Sequence, residues 1–180
     1  MSNRFPRYAE NLVKTLCSEY GVSCHEVEED VTGWDLQVEL PADDRTGPPD
    51  THAGFWQTFV QVKSTYSRTA KCRIKLSNMV YAAQSINPWF IVLVQKDETY
   101  NTENFYVKHF WTPLIEWTLE KARKAYEQNK ALHKQHVYIT FSNSEKCDEN
   151  PVSRMHHTIT SIGPNYYKQK AIVYNTVGYE

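Results

Sequence analysis

The spacing of apolar positions along this chain changes repeatedly, and each change marks an element. Phe5, Ala9, Leu12, Val13, Leu16 and Tyr20 recur at intervals of three and four, the spacing of one helix face. Pro6 suits the first turn of that helix, and Gly21 its end. Residues 22–31 mix valines with acids and suit a short edge strand ending at Thr32-Gly33. The segment WDLQVEL, from Trp34 to Leu40, alternates as a strand does. Residues 41–54 have the proline, glycine and aspartate density of a long loop. FWQTFVQVKST then alternates again as a central strand, which puts Gln57, Phe59, Gln61 and Lys63 on one face.

Further along, Ser77 is placed to cap a helix through NMVYAAQS that stops at Asn87-Pro88. WFIVLVQ is apolar at every position but the last, as in a strand buried on both faces, and FYVKHFW is expected to pair near it. Thr112-Pro113 opens a helix, with Ile115, Leu119, Ala122 and Tyr126 at helical spacing and the pattern continuing to ALHK. HVYITFS reads as a strand. Beyond Asn143 the pattern weakens to a short helix near RMHHTITSIG and a last strand near AIVYNTV. This order predicts an α/β fold, a mixed sheet flanked by helices. One domain over residues 1–180 is expected, with 143–180 as a C-terminal extension.

Composition narrows the class. With 41% hydrophobic and 23% charged residues, 12 Tyr, 7 Phe and 5 Trp, the chain has material for one aromatic-rich core. Cys17, Cys24, Cys72 and Cys147 form no Cys-x-x-Cys pair, which argues against zinc and disulfide frameworks and for reduced thiols in a cytoplasm. Neither a signal peptide nor a run of about 18 apolar residues is present, so no membrane partner is expected. The formal net charge of -1 averages two opposed segments. From Glu26 to Asp50 there are nine acids and one Arg; from Lys63 to Lys75 there are five bases and no acid.

The chemistry concentrates on two successive strands. Asp35 offers a carboxylate, Gln61 an amide oxygen, the Val62 carbonyl a further oxygen, and Lys63 an ammonium. Mg²⁺ takes oxygen ligands, needs only one or two protein carboxylates and completes its shell with water and substrate phosphate. A lysine beside the reacting phosphate offsets transition-state charge.

The segments AENLVKTLCSEYG, GWDLQVEL, FVQVKST and RIKLSNMVYAAQSINPWFIVLV together resemble the PD-(D/E)xK nuclease superfamily, the restriction-endonuclease-like fold, over roughly half of the chain. The resemblance implies a restriction-endonuclease-like sheet, with Asp35 as the motif aspartate, Lys63 as the motif lysine and Glu10 as the helix-borne acid. Gln61 stands where the family usually has Glu or Asp, which removes one negative charge from the cation site. The metal set implied is Asp35, Gln61, Val62 and Glu10, holding Mg²⁺ or Mn²⁺. The activity implied is hydrolysis of DNA phosphodiester bonds by water without a covalent intermediate; RNA stays open as a substrate. The QVKS and IKLS pieces look most like effector nuclease domains of bacterial anti-phage systems, which implies a homo-oligomer or larger effector assembly. The competing reading is an inactive module of the same fold that binds nucleic acid or protein.

Ser64, Thr65, Arg68, Lys71, Arg73 and Lys75 are the expected phosphate contacts, against a plain reading as strand-end hydrogen bonds and an exposed basic loop. Glu39, on the Asp35 face of its strand, ranks below Gln61 as a ligand. Glu19 is expected in solvent. His156-His157 and Cys147 do not make a second metal site, because adjacent histidines point in different directions on a regular element.

Overall fold

The computed structural model describes residues 4–27, 33–43, 47–97 and 102–177. Helix α1 (Arg4–Tyr20) buries Phe5, Ala9, Val13 and Cys17. Its stripe thus turns inward on Cys17, while Tyr20 stays exposed. A turn at Gly21, φ 80°, leads into edge strand β1 (Ser23–Glu26). Thr32, Glu28, Glu29, Asp30 and Asp44 lie outside the described residues. Strand β2 (Leu36–Pro41) buries Leu36, Val38 and Leu40 in alternation, and β3 (Phe55–Thr65) covers the whole FWQTFVQVKST segment. Strand β4 (Lys71–Lys75) runs directly into helix α2 (Leu76–Gln84). Ser77 therefore lies inside α2 and does not cap it; the cap position is Lys75, with no side-chain cap bond.

Strand β5 (Trp89–Asp97) is buried over Trp89–Gln95, and β6 (Thr102–His109) pairs antiparallel beside it. Helix α3 (Thr112–Glu127) starts at Thr112-Pro113 and buries Ile115, Thr118 and Ala125. Its inward stripe is one position off the expected one, and Tyr126 is 83% exposed. Asn129, at φ 52°, breaks the chain direction, so Leu132–Lys134 forms a separate 3-10 turn. Strand β7 (His136–Thr140) and the short β8 (Lys146–Cys147) follow. Helix α4 (Pro151–Ile162) is capped by Asn150, whose side chain accepts from the Val152 N–H at 2.9 Å. The stretch AIVYNTV is not a strand: it belongs to helix α5 (Tyr166–Val177).

The fold is α/β, a mixed six-stranded sheet flanked by helices. Strand order is β1-β2-β3-β5-β6-β8, with β3 and β5 parallel and the other neighbours antiparallel. Strands β4 and β7 form a separate two-stranded ribbon. On one sheet face α1 and α4, with Tyr166 of α5, close a core over Val60, Val62, Phe90, Val92 and Val94. On the other, α2, α3 and the ribbon pack on Trp89, Ile91 and Leu93. Alternation along β5 serves both cores, which is why its first six residues, Trp89 to Val94, are all apolar. Among the described residues, no helix is long and apolar enough to cross a membrane.

Candidate active site

Strand β2 begins at Leu36, opposite Val60, and β3 runs on past that point to Thr65. The Asp35 N–H donates to the Val60 carbonyl at 2.9 Å, and the Val62 N–H donates to Asp35 Oδ2 at 2.6 Å. A carboxylate thus occupies the edge of β3 just before the first β2 residue, Leu36. The N–H and C=O of one strand residue face the same edge, so the Val62 carbonyl is directed there too. Lys63 Nζ stands 3.9 Å from Asp35 Oδ2, with the two side chains 28% and 25% exposed. Both are accessible to a ligand.

What holds Asp35 is local and aromatic. Trp34 stacks on Phe59 with ring centroids 4.2 Å apart and meets the edge of Trp89 at 5.3 Å. Gly33 is buried at φ 84°, where a side chain would be strained. A Cβ there would also stand 2.5 Å from the Asn78 side chain. This close approach joins the turn before Asp35 to α2.

Glu10 reaches the site from α1, on the opposite sheet face. Burial raises its carboxyl above the usual range, and the Asp35 charge raises it further, while Lys63 opposes the shift. Gln61 shares the Lys63 face by strand alternation and is buried. It lines a cleft of about 290 Å³ with Lys63, Arg73, Lys75, Asn78 and His136. Among the described residues, no group of three or more His, Cys, Asp or Glu side chains could hold a metal ion. The oxygen donors on these segments are of another kind: the Asp35 and Glu10 carboxylates, the Gln61 amide oxygen and the Val62 main-chain carbonyl. That set fits a hard cation that keeps much of its water, as Mg²⁺ does.

No protein-family model matches the chain, and no curated protein matches it in sequence.

The expected phosphate contacts divide into groups. Arg73 and Lys75 line the cleft; Lys71 lies further out, its Nζ 5.7 Å from the Tyr138 ring centroid. Arg68 is exposed on the turn between β3 and β4. Thr65 Oγ1 accepts from the Ser67 N–H at 3.0 Å, and Ser64 shares the Val62 side of β3, away from Lys63. Glu39 sits four residues along β2 from Asp35, roughly 13 Å away at strand rise, and does not join the site. Glu19 is exposed. His156 ties α4 to its neighbours, with Nε2 2.8 Å from the Pro41 carbonyl and Nδ1 2.9 Å from the Tyr20 hydroxyl.

Three contributors were missed in the sequence. Asn78 follows Ser77 where the chain turns apolar, His136 follows Gln135 at the start of a strand, and nothing near either in the chain pairs it with Gln61. Gln95 is buried at the end of β5. Its Nε2 donates to the Ser67 carbonyl at 2.8 Å, and its Oε1 accepts from the Tyr106 hydroxyl at 3.1 Å. It fixes the turn that carries Arg68. The polar ending of WFIVLVQ was the available signal.

Proposed function

We propose that this chain is a metal-dependent nuclease that hydrolyses DNA phosphodiester bonds, of the PD-(D/E)xK kind that its motif segments resemble. The observation that carries the reading is the Asp35 carboxylate, fixed by the Val62 N–H and set 3.9 Å from the Lys63 ammonium. Asp35, Glu10, the Gln61 oxygen and the Val62 carbonyl would hold the cation. Mg²⁺ or Mn²⁺, when bound, supplies an activated water and neutralises phosphate charge. Lys63 places a positive charge beside the scissile phosphate and offsets the charge that develops there. Arg73 and Lys75, on the same cleft, hold the flanking phosphates. The neutral Gln61 leaves two carboxylates in the site, so cation affinity depends more on substrate phosphate than a three-carboxylate site would.

Supercoiled plasmid incubated with the protein and Mn²⁺ tests this. Nicking or degradation that disappears in Lys63→Ala is the expected result. Plasmid that stays intact while the protein binds it would replace the nuclease reading with that of a binding module. An effector role in anti-phage defence belongs to the same proposal, and a loss of phage protection in cells carrying Lys63→Ala would support it.

A further inference from the structure

The ribbon of β4 and β7 buries Cys72, Ile74 and Ile139 and turns its alternate positions outward. In register, Lys71 faces Thr140, Arg73 faces Tyr138 and Lys75 faces His136. Its outer face therefore carries three bases from one strand and a ring from the other. Tyr138 is 64% exposed, an aromatic surface left in water among cations. The basic surface also continues past the ribbon. His136 lines the Gln61 and Lys63 cleft and a second cleft of about 380 Å³, shared with Tyr138, Trp117, Lys121, Lys124 and Lys130. Glu120 pairs with Lys124 there, which leaves Lys121 and Lys130 to set the sign of that wall together with the ribbon.

We propose that the outer face of the β4 and β7 ribbon is a track for single-stranded nucleic acid, with Tyr138 stacking on a base and Lys71, Arg73, Lys121 and Lys130 on phosphates. The track rests on the nuclease reading for what lies at its Lys63 end. Charge complementarity supplies the polyanion, and the exposed ring decides the strandedness. Bases inside a duplex are stacked on one another, whereas an unpaired base offers its π-face to any aromatic side chain. A purely basic ribbon would serve a duplex equally well; a ring amid the bases favours the unpaired strand.

Fluorescence anisotropy of a mixed-sequence oligodeoxynucleotide, single-stranded or annealed, measured with the full chain and without divalent metal, tests the track. The wild-type chain should bind the single strand more tightly than the duplex. Tyr138→Ala should lose about tenfold in single-strand affinity, the worth of one stacked base, while Tyr138→Phe keeps it. Lys121→Glu with Lys130→Glu should weaken binding and flatten its salt dependence. Unchanged single-strand binding in Tyr138→Ala, or an equal loss on duplex, overturns the track. Cleavage with Mn²⁺, scored separately on the same proteins, distinguishes the two readings. Lys63-dependent cleavage with Tyr138-independent binding sinks the track alone. Tyr138-dependent binding without any cleavage keeps the track and sinks the nuclease.

Discussion

Lys63 and Lys170 show two ways in which this molecule takes a lysine out of water. Lys63 keeps 28% of its side chain exposed, faces a cleft and stands near a carboxylate. Lys170, on α5, is 1% exposed and donates to the Asn87 carbonyl at 2.6 Å. Burial alone lowers its ammonium to about 7. One turn earlier Tyr166 meets His109, hydroxyl to Nε2 at 2.6 Å, and burial with the Lys170 charge pushes that histidine to about 3. The perturbed groups around α5 thus have the electrostatic signature often found at active sites. The proposed nuclease site uses the other lysine, because a catalytic cation must meet its substrate. Lys170 anchors α5; Lys63 is offered to a ligand.

The widest separation between them is expected in turnover. Lys63→Ala should cut plasmid cleavage by about a hundredfold or more at nearly unchanged DNA affinity, as removal of a transition-state charge contact does. Lys170→Met should leave cleavage per folded molecule within about twofold, since a buried anchor makes no contact with the reacting phosphate. Steady-state kinetics on both variants breaks the comparison if Lys170→Met is the more damaged.

The frame behind Asp35 gives the next effect. Gly33→Ala should destabilise the fold by about 1–3 kcal/mol in urea, because it adds strain at positive φ and a clash with Asn78. Activity should fall with it, since the same turn aims Asp35. A variant as stable as the wild type would show that this turn is not the rigid support described.

Lys170 should be visible in the pH dependence of stability. Its folded value, about 7, lies below its ordinary 10.5, so the unfolded chain binds more protons between the two. Stability therefore rises with pH from about 7 to 8.5, by at most about 1.4 kcal/mol per pH unit, before unfolded thiols begin to ionise. Lys170→Met should flatten that slope in thermal melts.

The smallest effect concerns Gln61. Gln61→Glu restores the carboxylate usual in the resembled family, and calorimetric titration with Mn²⁺ should find affinity equal to or above that of the wild type. Much weaker binding by the folded variant would remove Gln61 from the cation site.

Asp35 and Lys63 were legible in the sequence because strand alternation and motif spacing are local properties. Residues at i and i+2 on β3 share a face whatever surrounds them, so Gln61 and Lys63 stay together. The ribbon was not legible. Strands β4 and β7 pair Lys71–Lys75 with His136–Thr140 across some sixty residues, and no local pattern says which distant strand will come. His136 and Tyr138 thus reached the basic face unannounced. The α5 segment misled for another reason. AIVYNTV is rich in β-branched residues, a strand preference, yet Tyr166, Lys170 and Val173 recur at helical spacing and all face inward. A lysine in that inward stripe hid the period.

By itself, then, the sequence determined α1, β2, β3 and β5, the α/β class and the two residues at the centre of the candidate site. Each follows from periodicity or from chemistry carried within one segment. Tertiary structure alone decided the pairing of the ribbon, the meeting of Gly33 with Asn78 and the helical state of α5. In each of these the deciding contact lies far away in the chain, and its energy exists only once the two cores have closed.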